Sequence, residues 1–549
     1  MTKLKIGLLV DNRFARRHVY ELADWARQQT DLEISYLVIH PPVSRSRLGR
    51  IVNSIRRNGF YQFASTCLFR VISFSEEMFL RIEKLHAGYF DVFDVSEKVS
   101  GELVIEPIIS KRDLSYEFSS TDLDRVRDLG LDLLIQCGSG TMRGDILRAS
   151  RLGVISLGDG FDSGCSAGFW ECYYRYPRTG FMIRKLTDDG DAEQILLSGF
   201  FSTRYFFALN QANLFKKIDP HLKSLLLQIS LTGELPKLHV SQRSPGETLP
   251  SPKLHHGIFY LFKITYRLAK KAFFKIMRFE RRWGISFVGS HWKEDIFQKG
   301  TVAEFPSGRF WADPFLYVNN GKTYCFVEDY VYKTNRGHIS ALEITDGSVV
   351  ELGDCIKEPF HLSFPFLFNY EGNLYMCPEC SESKQIRVYR CKNFPLSWEL
   401  CSVIMDGVSA ADTVLLEHGG RWWMLTSIDK SGMNDYCSEL YLFHAESPLS
   451  ADWKAHPQNP IRIDSEGGRN AGLILEDGKI LRMAQRHGFD QYGEGLLMYE
   501  ITELSETTYT EQLISAFGPS FRKGVLGTHH LSTTGTVTVF DHVSRSFVP

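Results

Sequence analysis

The chain has 549 residues, and its 63 Lys and Arg nearly cancel its 65 Asp and Glu, leaving a formal net charge of −2. That length is too great for one hydrophobic core and implies two or three domains. With 43% hydrophobic and 23% charged residues, the composition excludes a disordered or fibrous chain, and the even charge balance gives nucleic acid no electrostatic footing.

The first elements read as a buried strand at Lys5–Val10, a helix at Arg13–Gln29 and a second strand at Leu32–Ile39, a right-handed βαβ unit that opens a parallel sheet. Asp11-Asn12-Arg13 follows the first strand where a dinucleotide fold would carry G-x-G-x-x-G, so no dinucleotide is indicated. Residues 41–100 form an insertion rich in Arg and aromatics, and the sheet resumes at Leu103–Ile109 and Leu131–Cys137. A Gly-rich loop and a short helix to Leu152 follow. Next come a strand at Val154–Leu157, an aromatic helix from about Gly168, a strand at Gly180–Leu186 and an acidic turn at Asp188–Asp191. The first domain is expected to span 1–232.

Residues 233–256 carry Pro, Ser and His without periodicity, a linker by composition. Ile258–Trp283 then reads as a basic amphipathic helix, completing a connecting region 233–284. Lys263, Arg267, Lys270, Lys271, Lys275, Arg278 and Arg282 recur at three- and four-residue steps, with Leu261, Ile264, Leu268, Ala272, Ile276 and Phe279 between them. Such a helix is a candidate for peripheral contact with an anionic membrane surface; the alternative is a connector whose apolar face packs on a domain. No window reaches the roughly 18–20 apolar residues of a spanning helix. With a first strand rather than a signal peptide at the N-terminus, the expected location is cytoplasmic, at most peripheral to the inner face of the membrane.

From 285 to 549 the pattern is all-β. A strand, a two-residue turn and a second strand recur about every fifty residues, opening at Trp311-Ala312-Asp313, Ser363-Phe364-Pro365, Ala411-Asp412-Thr413, Asn470-Ala471-Gly472 and Gly527-Thr528-His529-His530. Five copies predict a five-bladed β-propeller, with each copy's opening residues near one end of the central channel. The eleven cysteines, an odd number, read as reduced thiols. Cys377-x-x-Cys380 has no second pair at zinc spacing, so no metal is expected.

The segment Leu131–Leu197 (LDLLIQCGSGTMRGDILRASRLGVISLGDG, later SAGFWECYYRYPRTGFMIRKLTDDGDAEQILLSG) resembles the N10-formyltetrahydrofolate-dependent formyltransferase family. That resemblance implies a Rossmann-like α/β formyltransferase fold, N10-formyltetrahydrofolate as donor, and a strand ending in Asn-x-His with a later Asp. Here Ser156 stands at the Asn position, Gly158 at the His position, and Asp191 matches the Asp. Asp159, or less directly Asp162, could replace the missing base if burial raises its pKa; as turn residues both would instead bond their own backbone.

ADPF with GKTYCFVED, then PLSWEL, HGGRWWMLTS and SPLSADWKAHPQNP, resemble the N-terminal domain of glucosamine inositolphosphorylceramide transferases through most of Phe305–Asp541. The repeat more distantly resembles the furanosidase propellers that cleave arabinan and fructan. These resemblances imply a setting of cell-surface glycan or glycolipid assembly. They also make Asp313, Glu379 and Asp412 a base, acid and modulator at the channel mouth, where carboxylate separation would set the stereochemical outcome. Arg469, Asn470, His529 and His530 could bond sugar hydroxyls, and Trp311, Trp422 and Trp423 could stack on the rings. The bland alternatives are a turn-capping Asp313, a Glu379 paired with Arg387 or Arg390, and core tryptophans.

The expectation is a transferase on an activated or lipid-linked sugar, with a sugar nucleotide or glycolipid as substrate. Two alternatives stand beside it. One is a non-catalytic carbohydrate-binding scaffold with a degenerate formyltransferase domain, and the other a furanosidase-like hydrolase in the propeller.

Overall fold

The structure, a computed structural model, describes residues 3–41, 47–82, 86, 88–109, 115–158, 168–188, 194–236, 252–294, 296–304, 306–345 and 347–547. They form two compact units, Met1–Arg267 and Leu268–Pro549.

In the first unit, β1 (Leu4–Val10), β2 (Leu32–Ile39), β3 (Gly101–Val104), β4 (Leu133–Gln136) and β5 (Val154–Gly158) make a parallel sheet in the order β3-β2-β1-β4-β5. Two antiparallel strands, β6 (Arg178–Lys185) and β7 (Gln194–Ser202), extend it beyond β5. The central strands are apolar on both faces, with Ile6, Leu8, Leu9, Leu37, Val38 and Ile135 all buried, as a sheet covered on both sides requires. Helices α1 (Arg17–Ala26), α3 (Ser120–Asp128) and α5 (Phe207–Thr232) pack on it, and α2 (Arg47–Leu80) and α4 (Phe169–Tyr174) pack on α5. α3 starts where the Ser119 hydroxyl accepts the Asp122 amide, and its Leu123 and Val126 pack with Leu9, Leu134 and Val154.

Three details depart from the expected elements. Phe14–Arg16 pairs with Val92–Asp94 before α1 begins, the short helix before Leu152 is a 3-10 turn at Gly144–Arg148, and Ile108–Ile109 leaves the main sheet to pair with Tyr116–Glu117. Asp159, Asp162 and Asp191 lie outside the described residues.

The expected helix Ile258–Trp283 is corrected to α6, Leu254–Ile276. The chain turns at Arg278, whose φ is +53°, and Phe279–Val288 becomes a strand in ten-pair antiparallel register with Thr538–Phe547. Phe279, Arg281, Trp283, Ile285 and Phe287 alternate with Glu280, Arg282, Gly284 and Ser286, a period of two that the basic spacing concealed. A full ladder outweighs residual helix propensity.

The second unit is a five-bladed β-propeller. Blades 1 to 4 are antiparallel sheets over Arg309–Ile356, Ser363–Asp406, Ala410–Ile463 and Glu466–Phe517. Blade 5 joins both ends of the unit: Phe279–Val288 pairs with Thr301–Val302 on one side and with the closing strand Thr538–Phe547 on the other, and the closing strand also pairs with Val525–Gly527 and Leu531–Thr533. Inner strands contact their successors in turn and the last returns to the first, closing the ring. Hairpin turns at Asn320-Gly321, Glu371-Gly372, Gly419-Gly420 and Asp477-Gly478 hold both residues at positive φ, the geometry that matches strand twist.

The tryptophans are a correction. Trp311, Trp422 and Trp423 lie in blade cores among Val327, Phe368 and Leu442, so none is a platform for a sugar. Cys377 and Cys380 are likewise buried, and burial pushes both thiols up, away from the thiolate that metal or redox chemistry needs.

Candidate functional site at the propeller axis

The inner strands of blades 1, 2 and 3 break their ladders at the same place, after Ala312, Ser363 and Ala411. The next residues, Asp313, Phe364 and Asp412, hold φ of +48°, +46° and +49°. In blade 4 the corresponding irregularity brackets Arg469 and Asn470 and ends on Gly472 at φ +123°. Left-handed backbone is tolerated by Asp and strained for Phe, so the recurring kink is a feature of the architecture. It places the Asp313 and Asp412 side chains in a buried polar cluster.

Arg469 organises one side of that cluster. Its Nε donates to Asp412 Oδ2 at 2.5 Å, while its Nη2 donates to Asp412 Oδ1 at 3.2 Å and to Glu379 Oε2 at 2.9 Å. Gln485 Nε2 adds a third donor to Asp412 at 2.7 Å, and Ser381 donates to Glu379 at 3.1 Å. Glu379 therefore pairs with neither Arg387 nor Arg390, which engage Glu358 and Glu399. Burial, followed by the neighbouring Glu379, raises the Asp412 carboxyl to about 7 against the pull of Arg469, which stays charged.

A second side runs through blade 5. The His529 ring touches Asp541 through Nδ1, stacks on Trp283 at 3.9 Å, and has Nε2 3.7 Å from Asp313 Oδ1. Asp541 Oδ1 also accepts the amides of His529 and His530 at 2.8 and 3.0 Å. Burial pulls the His529 pKa down, but Asp541 and Asp313 overcome it and hold the ring above its ordinary value. Asp313 accepts the Phe364 amide at 3.2 Å, and desolvation raises it to about 7 although His529 opposes this. Asp313, His529 and Asp541 could each offer a cation one ligand atom within 4.8 Å of the others. In this structure they engage one another.

Glu328 completes the set. It lies on the second strand of blade 1, 3.4 Å from His361 Nε2, and its pKa stands well above the carboxylate range because of burial and then of Asp313, Glu379, Asp541 and Asp412. Five buried carboxyls thus face one guanidinium and two imidazoles, those of His529 and His361. Charge alone requires some of them to carry protons. Tyr492, 38% exposed, lies with its ring 5.3 Å from the Arg469 guanidinium and edge-on to His529 at 5.2 Å.

The structure therefore brings together Asp313, Glu379, Asp412, Arg469 and His529. Asn470 sits beside them with its amide given to the Asp412 and Leu425 carbonyls, and His530, lowered to about 3 by burial, packs between Phe315 and Phe364. Sequence reasoning missed Glu328, Tyr492 and Asp541, which lie off the repeated opening motif. Glu328 had a signal, an acidic pair in the apolar run FVED; Asp541 had none until Thr538–Phe547 paired with Phe279–Val288.

In the first unit, Ser156 is half-buried in β5, between Gln136 of β4 and Arg184 of β6.

Comparison with known proteins bears on the propeller. The family described as glucosamine inositolphosphorylceramide transferase 1, N-terminal, matches residues 297–526. The glucosamine inositolphosphorylceramide transferase 1 of Arabidopsis thaliana is 39% identical over 230 residues, 41% of this chain and 29% of that protein. Its counterpart in Oryza sativa subsp. japonica is 36% identical over 229 residues, 41% of this chain and 30% of that one. The chain thus spans less than a third of the curated relatives it matches. Similar solved structures include Zg3597, a family 117 glycoside hydrolase from Zobellia galactanivorans, with 12% identity, a TM-score of 0.33, and coverage of 48% of this chain and 90% of that one. The catalytic domain of the Coprinopsis cinerea GH62 alpha-L-arabinofuranosidase gives 12%, 0.33, 48% and 97%.

Proposed function

We propose that the propeller axis is the sugar site of a transferase acting on an activated or lipid-linked sugar in glycan or glycolipid assembly. One observation supports this most directly: buried carboxyls outnumber the cations around them and gather beside a half-exposed tyrosine. Such a group offers directional acceptors and exchangeable protons to a polyhydroxylated ligand. The relatives' names, with glucosamine and an inositol phospholipid in them, favour a glycolipid headgroup or an amino sugar, whose ammonium would answer the excess of carboxyls. Asp412 takes three donors, so it acts as a positioning residue. Glu328 and Asp313, with fewer donors and raised pKa values, are the acid and base candidates.

Calorimetry of the full chain with glucosamine and with a water-soluble glucosaminyl inositol phosphate tests this. Binding should weaken about tenfold or more, roughly 1.4 kcal/mol, in Glu328→Gln, which removes one of the excess carboxyls. No binding of either compound by the folded protein would sink the reading.

A second reading concerns the first unit. A parallel sheet in doubly wound order with Ser156 in its fifth strand is compatible with a formyltransferase-like domain using N10-formyltetrahydrofolate. Titration of the full chain with a stable N10-formyltetrahydrofolate analogue decides it; absence of heat and of thermal stabilisation would leave a scaffold domain.

A further inference from the structure

We propose that α6 is an interfacial helix that seats the protein on an anionic lipid surface, with its apolar side in the lipid and its cations at the headgroups. The inference does not depend on the sugar reading.

The inner side of α6 is fixed. Gly257 lets the helix approach Leu68 and Ile72 of α2 so closely that a Cβ there would meet Leu68 at 2.8 Å. Tyr260 is buried among Ile72, Phe169 and Phe207, and its hydroxyl donates to Glu76 at 2.6 Å while accepting the Phe207 amide. Burial raises Glu76 to about 7, and the carboxyl also accepts the Ala208 amide. Lys263 closes this side by donating to the Tyr173 carbonyl at 2.7 Å from a position over that ring.

The opposite side is apolar and open. Ile258, Phe262, Ala269, Phe273 and Ile276 recur at steps of four, seven, four and three, one stripe of a helix about 35 Å long. Phe262 is 68% and Ile276 79% exposed, and Ile258 and Phe273 are each more than half exposed. α2 carries a similar row, with Val71, Phe74 and Met78 exposed. Single exposed apolar residues need no explanation, but a continuous stripe along a whole helix marks an interaction surface.

Charge selects the occupant. Leu254–Ile276 holds five Lys and Arg and no Asp or Glu, in a chain whose total charge is −2. Lys270 and Lys275 are exposed on opposite flanks of the stripe, where long cationic stems reach phosphates while the apolar side enters the acyl boundary. Cations spaced along the helix suit one lying in the surface. Among the described residues no helix is long and apolar enough to cross a membrane.

Flotation of the full chain tests this with vesicles of phosphatidylcholine containing about 30 mol % phosphatidylserine, and of phosphatidylcholine alone. The protein should float with the anionic vesicles and at least about tenfold less with the neutral ones. Phe262→Ser with Ile276→Ser should lower anionic flotation at least about tenfold, with circular dichroism and melting unchanged because both side chains are solvent-facing. Lys270→Glu with Lys275→Glu should lower it and reduce its salt dependence. Failure of the wild type to float, or undiminished flotation of the serine variant, overturns the proposal. So does light scattering that shows a dimer which the serine variant turns into a monomer, since a second copy then covers the stripe.

Discussion

Two buried charge clusters of the propeller are treated in opposite ways. In blade 4, Glu511 accepts from Arg482 Nε and Nη2 at 2.8 Å each, from Arg462 Nη1 at 2.9 Å and from the Tyr509 hydroxyl at 2.7 Å. Burial alone would raise this carboxyl, but Arg482 outweighs it and brings the pKa down to about 2. All three Arg482 nitrogens find acceptors, in Glu511, Asn470 Oδ1 and the Gly467 carbonyl. At the axis, Asp313, Glu328 and Asp412 are all raised, and Asp313 and Asp412 also occupy left-handed backbone. The same fold that satisfies a buried charge in one blade leaves an acid excess where the blades meet. That contrast separates a structural network from a site kept for a ligand.

Breaking the balanced cluster should have the largest effect. Glu511→Gln leaves two buried guanidinium groups short of a carboxylate and should cost about 3–5 kcal/mol in urea denaturation. Because the folded pKa of Glu511 is depressed, its contribution is complete above the ordinary carboxylate range and is lost as pH falls toward about 2. A cost below about 1 kcal/mol would mean that the cluster is not structural.

The axis should respond with the opposite sign. Asp313 has a raised folded pKa, so its contribution is complete below the ordinary value of 3.8 and is lost as pH rises toward about 7. Asp313→Asn keeps an acceptor for the Phe364 amide and a residue that tolerates positive φ. It should leave stability at pH 4 unchanged, raise it at pH 8 by about 1–2 kcal/mol, and weaken sugar binding. If Asp313→Asn destabilises the protein at pH 8 as Glu511→Gln does, the axis is another structural network.

How much of this could be read beforehand follows from the repeat. A strand and two-residue turn recurring through the second half placed Asp313 and Asp412 in the openings of their copies, with Arg469 just before the opening of the fourth, and the openings of a closed ring must converge. The rest depends on pairings that periodicity does not carry. Asp541 reaches the axis only because the last strand pairs with Phe279–Val288, a segment whose basic spacing imitates a helix. Trp422 and Trp423 lie on opposite faces of one strand, yet both are buried, Trp422 against Phe368 and Tyr370 of blade 2 and Trp423 against His444 of its own blade. Asn470 opens its repeat as the acids do, but the neighbouring carbonyls consume its amide.

The smallest predicted effect is the most specific to the ligand. Tyr492 contacts both halves of the axis, Arg469 through its face and His529 through its edge, and it alone of these three residues is more than a third exposed. Tyr492→Ala removes a cation–π contact and an aromatic wall from a partly solvated position, so the loss in unfolding free energy should be about 1 kcal/mol. Loss of stacking should weaken sugar binding by about fivefold to tenfold, whereas Tyr492→Phe, which keeps the ring, should recover most of it. Equal losses in both variants would assign the effect to the hydroxyl. An unchanged affinity in Tyr492→Ala would place the ligand away from the axis, and the acid excess would then lack the role that sets it apart from the Glu511 cluster.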